Sequence, residues 1–338
     1  MITRRSCASV VGLALLLTGC SGGAPSTVAT PVAVRTSASP TPSPAPPVAV
    51  DPLTGTAPQG TAPVVVLKVD NGPLARPYQR GLAAAALVFQ ELMEGGSTRL
   101  LAVYDNGFAG EVGPVRSVRE SDPDLLGQFG PVALGFSGGN EGVKAGFRTA
   151  VRAGRIFDAS YDAFPGLYRL GERRADARNF FTTPARLAAA VPDATTVRPT
   201  GLRFGPMVGG APAVTAAASF SGGSTVRLTA DPTTGRWRVV QDGRQMTDYA
   251  PANVIVQSVP VRASRYQDVH GVNTPFTVST GRGPVSVLRD GMRVDGTWQR
   301  ANVSGVTRYL DAAGQDLRLK PGPTLVLLLP AGRPLTTG

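Results

Sequence analysis

The sequence predicts an α/β (α+β) domain over residues 63–200 followed by a mostly antiparallel β domain over residues 201–332. Three observations predict it. Between Pro63 and Pro192, apolar strand-like runs alternate with stretches that open on helix-capping residues and carry one apolar stripe. From Gly201 on, short β-rich runs recur between turn signals, with no helical pattern among them. Ahead of Pro63 the chain is rich in Ser, Thr, Pro and Ala and poor in charge, a composition that cannot bury a core. At 338 residues the chain is also longer than one typical domain.

Residues 1–20 have the order of a targeting peptide: Arg4 and Arg5, an apolar run from Val10 to Leu17, then Leu17-Thr18-Gly19-Cys20. The run is shorter than the roughly 20 apolar residues a spanning helix needs. Small residues immediately before Cys20 resemble a bacterial lipobox, in which the thiol accepts the lipid. The expected partner is therefore a bilayer, reached through acyl (palmitate-type) chains on Cys20, with residues 21–62 as a disordered linker that lifts the body off the surface. Cys7 lies in the removed peptide, so the body has no thiol for a disulfide, a metal or a nucleophile.

Within residues 63–200, Val64–Val69 reads as a buried strand and Asp70-Asn71-Gly72-Pro73 as a turn. Gly81–Ala86 reads as one or two helical turns. Leu87–Met93 and Thr98–Tyr104 read as a hairpin around Glu94-Gly95-Gly96-Ser97, against the competing pattern of one helix over Leu82–Met93. Ser121 or Asp122, followed by Pro123, opens a short helix. Pro131–Phe136 is a strand. Asn140–Ala153 is a helix with Val143, Phe147 and Val151 on one stripe. Ile156-Phe157 is a short strand, residues 158–179 read as loop, and Thr183-Pro184 starts a helix that runs to Val191. Within residues 201–332 the expected strands are Ser224–Ala230, Arg236–Gln241, Asn253–Val259, Phe276–Ser279, Val285–Leu288, Thr297–Arg300, Gly305–Leu310 and Thr324–Leu329. Asp242-Gly243, Asp290-Gly291 and Asp295-Gly296 are the expected hairpin turns.

The net charge is +11, or +9 without Arg4 and Arg5, and only Lys68, Lys144 and Lys320 are lysines. Arginine is a planar fork suited to carboxylates and phosphates. No basic helix or aromatic-interleaved patch accompanies the excess, so nucleic acid is not an expected partner. No zinc-type Cys/His cluster, EF-hand loop, Walker string or dinucleotide fingerprint is present, and no metal or cofactor is expected. Gly135-Phe-Ser137-Gly-Gly139 fits a nucleophile-elbow string, but its partner would have to be His270, the one histidine, far along the chain. A Gly-rich turn is the favoured reading there.

The candidate ligand site is instead the set Asp70, Asn71, Arg76, Glu91, Glu94, Arg99, Arg116 and Arg119. Its carboxylates sit near strand ends, and its guanidinium forks can meet carboxylates or an anion bidentately. Three uses fit these residue types. They can form ion pairs that lock loops to a scaffold, a polar cleft for an anionic or carbohydrate ligand of the cell wall, or a carboxylate pair for glycan cleavage. The last requires carboxyl groups roughly 5–9.5 Å apart.

Val69-Asp70-Asn71-x-Pro73-x-Ala75-Arg76-Pro77, Gly81-Leu82, Glu94-Gly95-Gly96-x-Thr98-Arg99 and Gly113-Pro114-Val115-Arg116-Ser117-x-Arg119 together resemble the YerB-like bacterial lipoproteins. Asp290-Gly291, Gly296-Thr297-Trp298, Asp311-x-x-Gly314 and Pro321-Gly322 extend the resemblance to about residue 330. It implies an α/β domain followed by a β-rich one, and a domain of unknown function with no established reaction. Relatives often carry His before the asparagine of the Asn179 motif. This chain has Arg178 there, which removes a general base at that place. The expected function is ligand binding or scaffolding in the cell envelope. The alternatives are an envelope hydrolase working through the carboxylates, and a module that docks an envelope protein on its sheet edges.

Overall fold

A computed structural model describes residues 49–58, 60–172, 179–196, 200–246, 248–268 and 270–338. The targeting peptide, Cys20, most of the linker and Arg178 lie outside the described residues. The first strand, β1 (Val65–Asp70), is buried along its whole length. Its alternating side chains enter two different cores. Val65, Leu67 and Val69 belong to one, Val64 and Val66 to the other. A strand covered on both faces explains why the run reads as continuously apolar rather than alternating.

The strands and helices up to residue 190 follow in chain order. They are β2 (Leu87–Leu92), β3 (Thr98–Tyr104), β4 (Val112–Val115), α1 (Asp122–Leu126), β5 (Ala133–Gly135), α2 (Glu141–Arg152), β6 (Phe157–Asp158), β7 (Arg169–Leu170), β8 (Phe180–Thr182) and α3 (Pro184–Ala190). β1 pairs antiparallel with β3, and β3 antiparallel with β2. The other edge of β1 is shared. β5 runs parallel to Val65–Leu67, while β4 takes Val69 antiparallel. The sheet therefore forks at Lys68, whose carbonyl accepts from Arg116 N at 2.8 Å.

One sheet of 14 strands joins both parts of the sequence. β2 lies parallel to Thr324–Pro330, which lies parallel to Asn253–Val259. Antiparallel hairpin strands Gly281–Arg289 and Met292–Arg300 extend that side. A second sheet of five strands holds Thr215–Ser221, Ser224–Ala230 and Trp237–Gln241. Core residues of this second sheet and of α3 cluster with one face of β1, and those of α1 and α2 with the other. Residues from 49 on pack as one compact unit, so the strands of both halves share their cores. Each fully enclosed Leu, Val or Ile among them is worth about 1.5–3 kcal/mol over leaving it in water.

The expected elements of the first half are present. Leu82–Ala84 is a 3-10 turn followed by a strand, not one long helix. The β2–β3 hairpin turns through Gly95 and Gly96, both at positive φ. Asn140 caps α2, its Oδ1 accepting from Gly142 N at 2.8 Å. Ser121 is not a side-chain cap for α1. Its hydroxyl turns instead to Glu91. In the second half, Asp242-Gly243 and Asp290-Gly291 are turns with both residues at positive φ. Asp295-Gly296 is not a turn. It lies inside Met292–Arg300, where a Cβ on Gly296 would stand 2.0 Å from the carbonyl oxygen of Leu310. The glycine is there for close approach of a neighbouring backbone. Short strands such as Val112–Val115, Arg169–Leu170 and Phe180–Thr182 escape the pattern reading, and so do two strands of seven residues. Thr215–Ser221 is alanine-rich, and Val261–Gln267 carries charges on an exposed ribbon.

Candidate functional site

The register of the central strands assembles the site. Asp70 on β1 stands opposite Arg99 on β3, and Arg99 stands opposite Glu91 on β2. Strand alternation places all three on the face that carries Val66, Leu101 and Phe89 further along. Arg116 and Arg119 follow β4 on the loop that leads to α1, and Glu94 sits in the β2–β3 turn. Local chain geometry thus delivers three guanidinium groups and three carboxylates to one end of the sheet.

There, Glu94, Arg99, Arg116, Ser117 and Arg119 form one side of a cleft of about 540 Å³. The other side is built by Asn140 and Val143 of α2 and by Gln267, Asp268, His270 and Thr274 from the ribbon 261–277. Two hydrogen bonds hold that ribbon over the cleft. Asn140 Nδ2 donates to the Gln267 carbonyl at 2.9 Å, and Ser264 Oγ donates to Glu120 Oε2 at 2.5 Å. The positive end of α2 points its first turn at the same space.

Charge in the cleft is unevenly matched. Arg119 Nη2 donates to Glu94 Oε2 at 2.9 Å. Arg116 Nε lies 3.3 Å from Asp70 Oδ2, an ion pair whose N–H is not aligned as a hydrogen bond. Arg99 Nε is 3.9 Å from Asp70 Oδ1, and Arg99 Nη1 and Arg119 Nε are enclosed without hydrogen-bond partners. Burial and then the positive Arg119 push Arg99 down to about 10. Asp70 opposes this, Arg116 adds to it, and Glu94 opposes it last. Burial alone would raise Glu94, yet the Arg119 hydrogen bond and charge hold it below the ordinary carboxylate value. The wall is therefore a cationic surface with an ionised carboxylate set into it.

The remaining candidates are placed elsewhere. Asn71 is fully buried, donating to Thr98 Oγ1 at 2.8 Å and accepting from Gln79 Nε2 at 3.1 Å. Arg76 reaches away, with Nε on the Asn71 carbonyl at 3.0 Å and Nη2 on Asp242 of the five-stranded sheet. Glu91 is enclosed beneath the cleft floor with Lys68 and Asp122. Ser137 donates to the Val115 carbonyl at 3.0 Å. Sequence reasoning missed the opposite wall, Asn140, Asp268 and His270, because only tertiary contact brings those residues to the arginines. Lys68 and Asp122 were also missed, although a lone lysine inside an apolar run was a signal.

Comparison with known proteins agrees with this architecture. The N-terminal domain profile of the family described as "Protein of unknown function (DUF3048)" matches residues 53–197, and its C-terminal domain profile matches residues 216–326. A Bacillus subtilis (strain 168) protein named "Putative lipoprotein YerB" is 50% identical over 58 residues, which is 17% of each chain. A crystal structure of the YerB protein from Bacillus subtilis has a similar fold, with TM-score 0.71 and 20% identity, covering 86% of this chain and all of that one. Among the described residues no helix is long and apolar enough to cross a membrane.

Proposed function

The chain belongs to the DUF3048 family, and on that premise we propose that it is an envelope binding protein whose cleft takes an anionic, hydroxyl-bearing ligand. The observation that carries this reading is the set of three guanidinium groups at one cleft where, among the described residues, Glu94 is the acid lining that wall and Asp70 stands behind it on Arg116. A phosphate or carboxylate on the ligand would offer acceptors to Arg99 and Arg116 and a counter-charge to Arg119, whose Nη1 and Nη2 already donate to the Ser117 and Val118 carbonyls and to Glu94. Glu94, Asn140, Gln267 and Thr274 are suited to hydroxyl groups on the same ligand. Hydrolysis by a carboxylate pair has less support. A general acid needs a carboxyl held protonated, whereas Glu94 is held ionised and Glu91 is sealed from the cleft.

The test is titration of the purified chain with a glycerol-phosphate polymer and with peptidoglycan fragments, using neutral dextran as the control. Saturable binding is expected to the anionic probes, falling with salt and about tenfold or more weaker in Arg116→Ala and Arg119→Ala. Absence of saturable binding, or binding that both substitutions leave unchanged, overturns the reading.

Membrane attachment through Cys20 completes the proposal and rests on the lipobox-like Leu17-Thr18-Gly19-Cys20. Two acyl chains suffice for stable anchoring. Labelled palmitate is expected to enter the wild-type protein in growing cells and to be lost in Cys20→Ala, with release of the protein from the membrane fraction. A Cys20→Ala protein that is labelled and sedimented like the wild type would remove the anchor from the proposal.

A further inference from the structure

Beneath the cleft, Lys68, Glu91 and Asp122 meet in a setting that has no contact with water. Lys68 and Asp122 are completely enclosed and Glu91 is 1% exposed. Lys68 Nζ lies 2.7 Å from Asp122 Oδ1 and also hydrogen-bonds Glu91 Oε1. Asp122 Oδ2 accepts the backbone N–H of Arg119 at 2.8 Å, and Ser121 Oγ donates to Glu91 Oε2 at 3.3 Å. The amine and the carboxyl come from elements 54 residues apart, β1 and the first turn of α1.

We propose that this triad is a self-modification site, where Lys68 and Asp122 condense to an intramolecular isopeptide bond with Glu91 as the proton carrier. Each requirement of that reaction is met by a group already in place. Glu91 takes one proton from the Lys68 ammonium, leaving a lone pair on Nζ. Nζ attacks Cγ of the protonated Asp122 carboxyl, forming the C–N bond. The Arg119 backbone N–H supports the negative charge that develops on Oδ2, as an oxyanion donor does. The C–Oδ1 bond breaks, and Glu91 passes its proton to the departing hydroxyl, which leaves as water. As the amide forms, the second Nζ proton passes to the Glu91 carboxylate freed by that transfer, so the enclosed site starts and ends with no net charge. Amine plus carboxylic acid gives amide plus one water, with no oxidant, reductant or co-reactant.

Enclosure favours the step in two ways. It removes the water that would compete for the carboxyl and reverse the condensation, and it holds amine and carboxyl at reacting distance as parts of one folded chain. Burial first, with the Glu91 charge adding to it, keeps Asp122 up at about 7 despite the opposing Lys68. A neutral carboxyl, the form that accepts an amine, is thereby available near physiological pH. The body after Cys20 has no cysteine, so an amide between β1 and α1 would be a cross-link of the kind a disulfide would otherwise make.

The test is peptide mapping of the purified full chain by mass spectrometry, which requires no substitution. Trypsin is expected to leave Lys68 uncut and to yield a branched peptide joining the segment around Lys68 to the one that begins at Glu120. Its mass should equal the sum of the two peptides less one water. Glu91→Gln is expected to lower the branched fraction at least tenfold. Asp122→Asn is expected to give the same branched product with loss of ammonia in place of water, a rescue that a merely structural ion pair would not show. A folded wild-type chain whose Lys68 peptide is cut normally and carries no water loss overturns the proposal. An undiminished cross-link in Glu91→Gln overturns the role given to Glu91.

Discussion

Replacing Lys68 by methionine is expected to cost the folded protein about 3–5 kcal/mol at pH 7, the penalty for removing one partner of a fully buried ion cluster. In the uncondensed triad the cation lies between Glu91 and Asp122, and both acids are enclosed. Asp122, which burial already pushes up, would then favour its neutral form still more, with a folded pKa above its unfolded value. Such a group opposes folding above its folded pKa and ceases to do so below its unfolded pKa. The deficit of Lys68→Met should therefore grow as the pH rises through 7 and shrink as it falls toward about 4. The triple variant Lys68→Met, Glu91→Leu, Asp122→Leu is expected to recover most of the loss, since a packed apolar set can replace a buried ion cluster. Urea unfolding of the three proteins at two pH values checks this. A Lys68→Met protein within 1 kcal/mol of wild type at pH 7 would show that the triad carries no stability.

The second large effect is expected at Arg300. Its side chain is enclosed, and it donates from Nε to the Gly305 carbonyl at 2.9 Å, from Nη1 to Ser279 Oγ at 3.0 Å and from Nη2 to the Asp124 carbonyl at 2.7 Å. The Leu125 carbonyl accepts from Nη1 at 3.3 Å, and the Val303 carbonyl also accepts from Nη2. Asp124 and Leu125 are near the end of α1, a helix of five residues whose last carbonyls have no partner within the helix. A helix this short does not persist alone, so the guanidinium works as its C-terminal cap from a distant strand. Arg300→Met is expected to lose about 3–4 kcal/mol, because several buried carbonyls lose a charged donor together. Hydrogen exchange should show protection falling first in α1 and the 302–305 loop. A variant with unchanged exchange in α1 would show that the helix is held by its apolar contacts alone.

Both residues show where the sequence was legible and where it was not. Lys68 interrupts a run of valine and leucine, so its presence in a buried strand could be read directly, but its two acidic partners come from β2 and α1. Arg300 looks like one of many arginines of a basic chain, and nothing adjacent marks it as enclosed. The eight residues named for the site divide the same way. Glu94, Arg99, Arg116 and Arg119 line the cleft, Asp70 stands behind them on Arg116, and Asn71, Arg76 and Glu91 face other neighbours. Glu91 and Glu94 are three residues apart, yet one is on a strand face turned inward and the other is in the turn.

Local chemistry alone determined the class of this protein. Periodicity marked the strands and α2, Asp242-Gly243 and Asp290-Gly291 marked two hairpin turns, and ordered motifs marked the family, because each signal is written within a few consecutive residues. Tertiary structure alone decided that strands from both halves share one sheet and that Asn140 and His270 face the arginines. It also decided which acids are paired in the dark and which meet solvent. Those outcomes depend on strand register and on contacts between distant segments, as between Leu87 and Thr324 in the sheet or between Arg300 and Asp124 of α1, 176 residues apart. No local pattern encodes them.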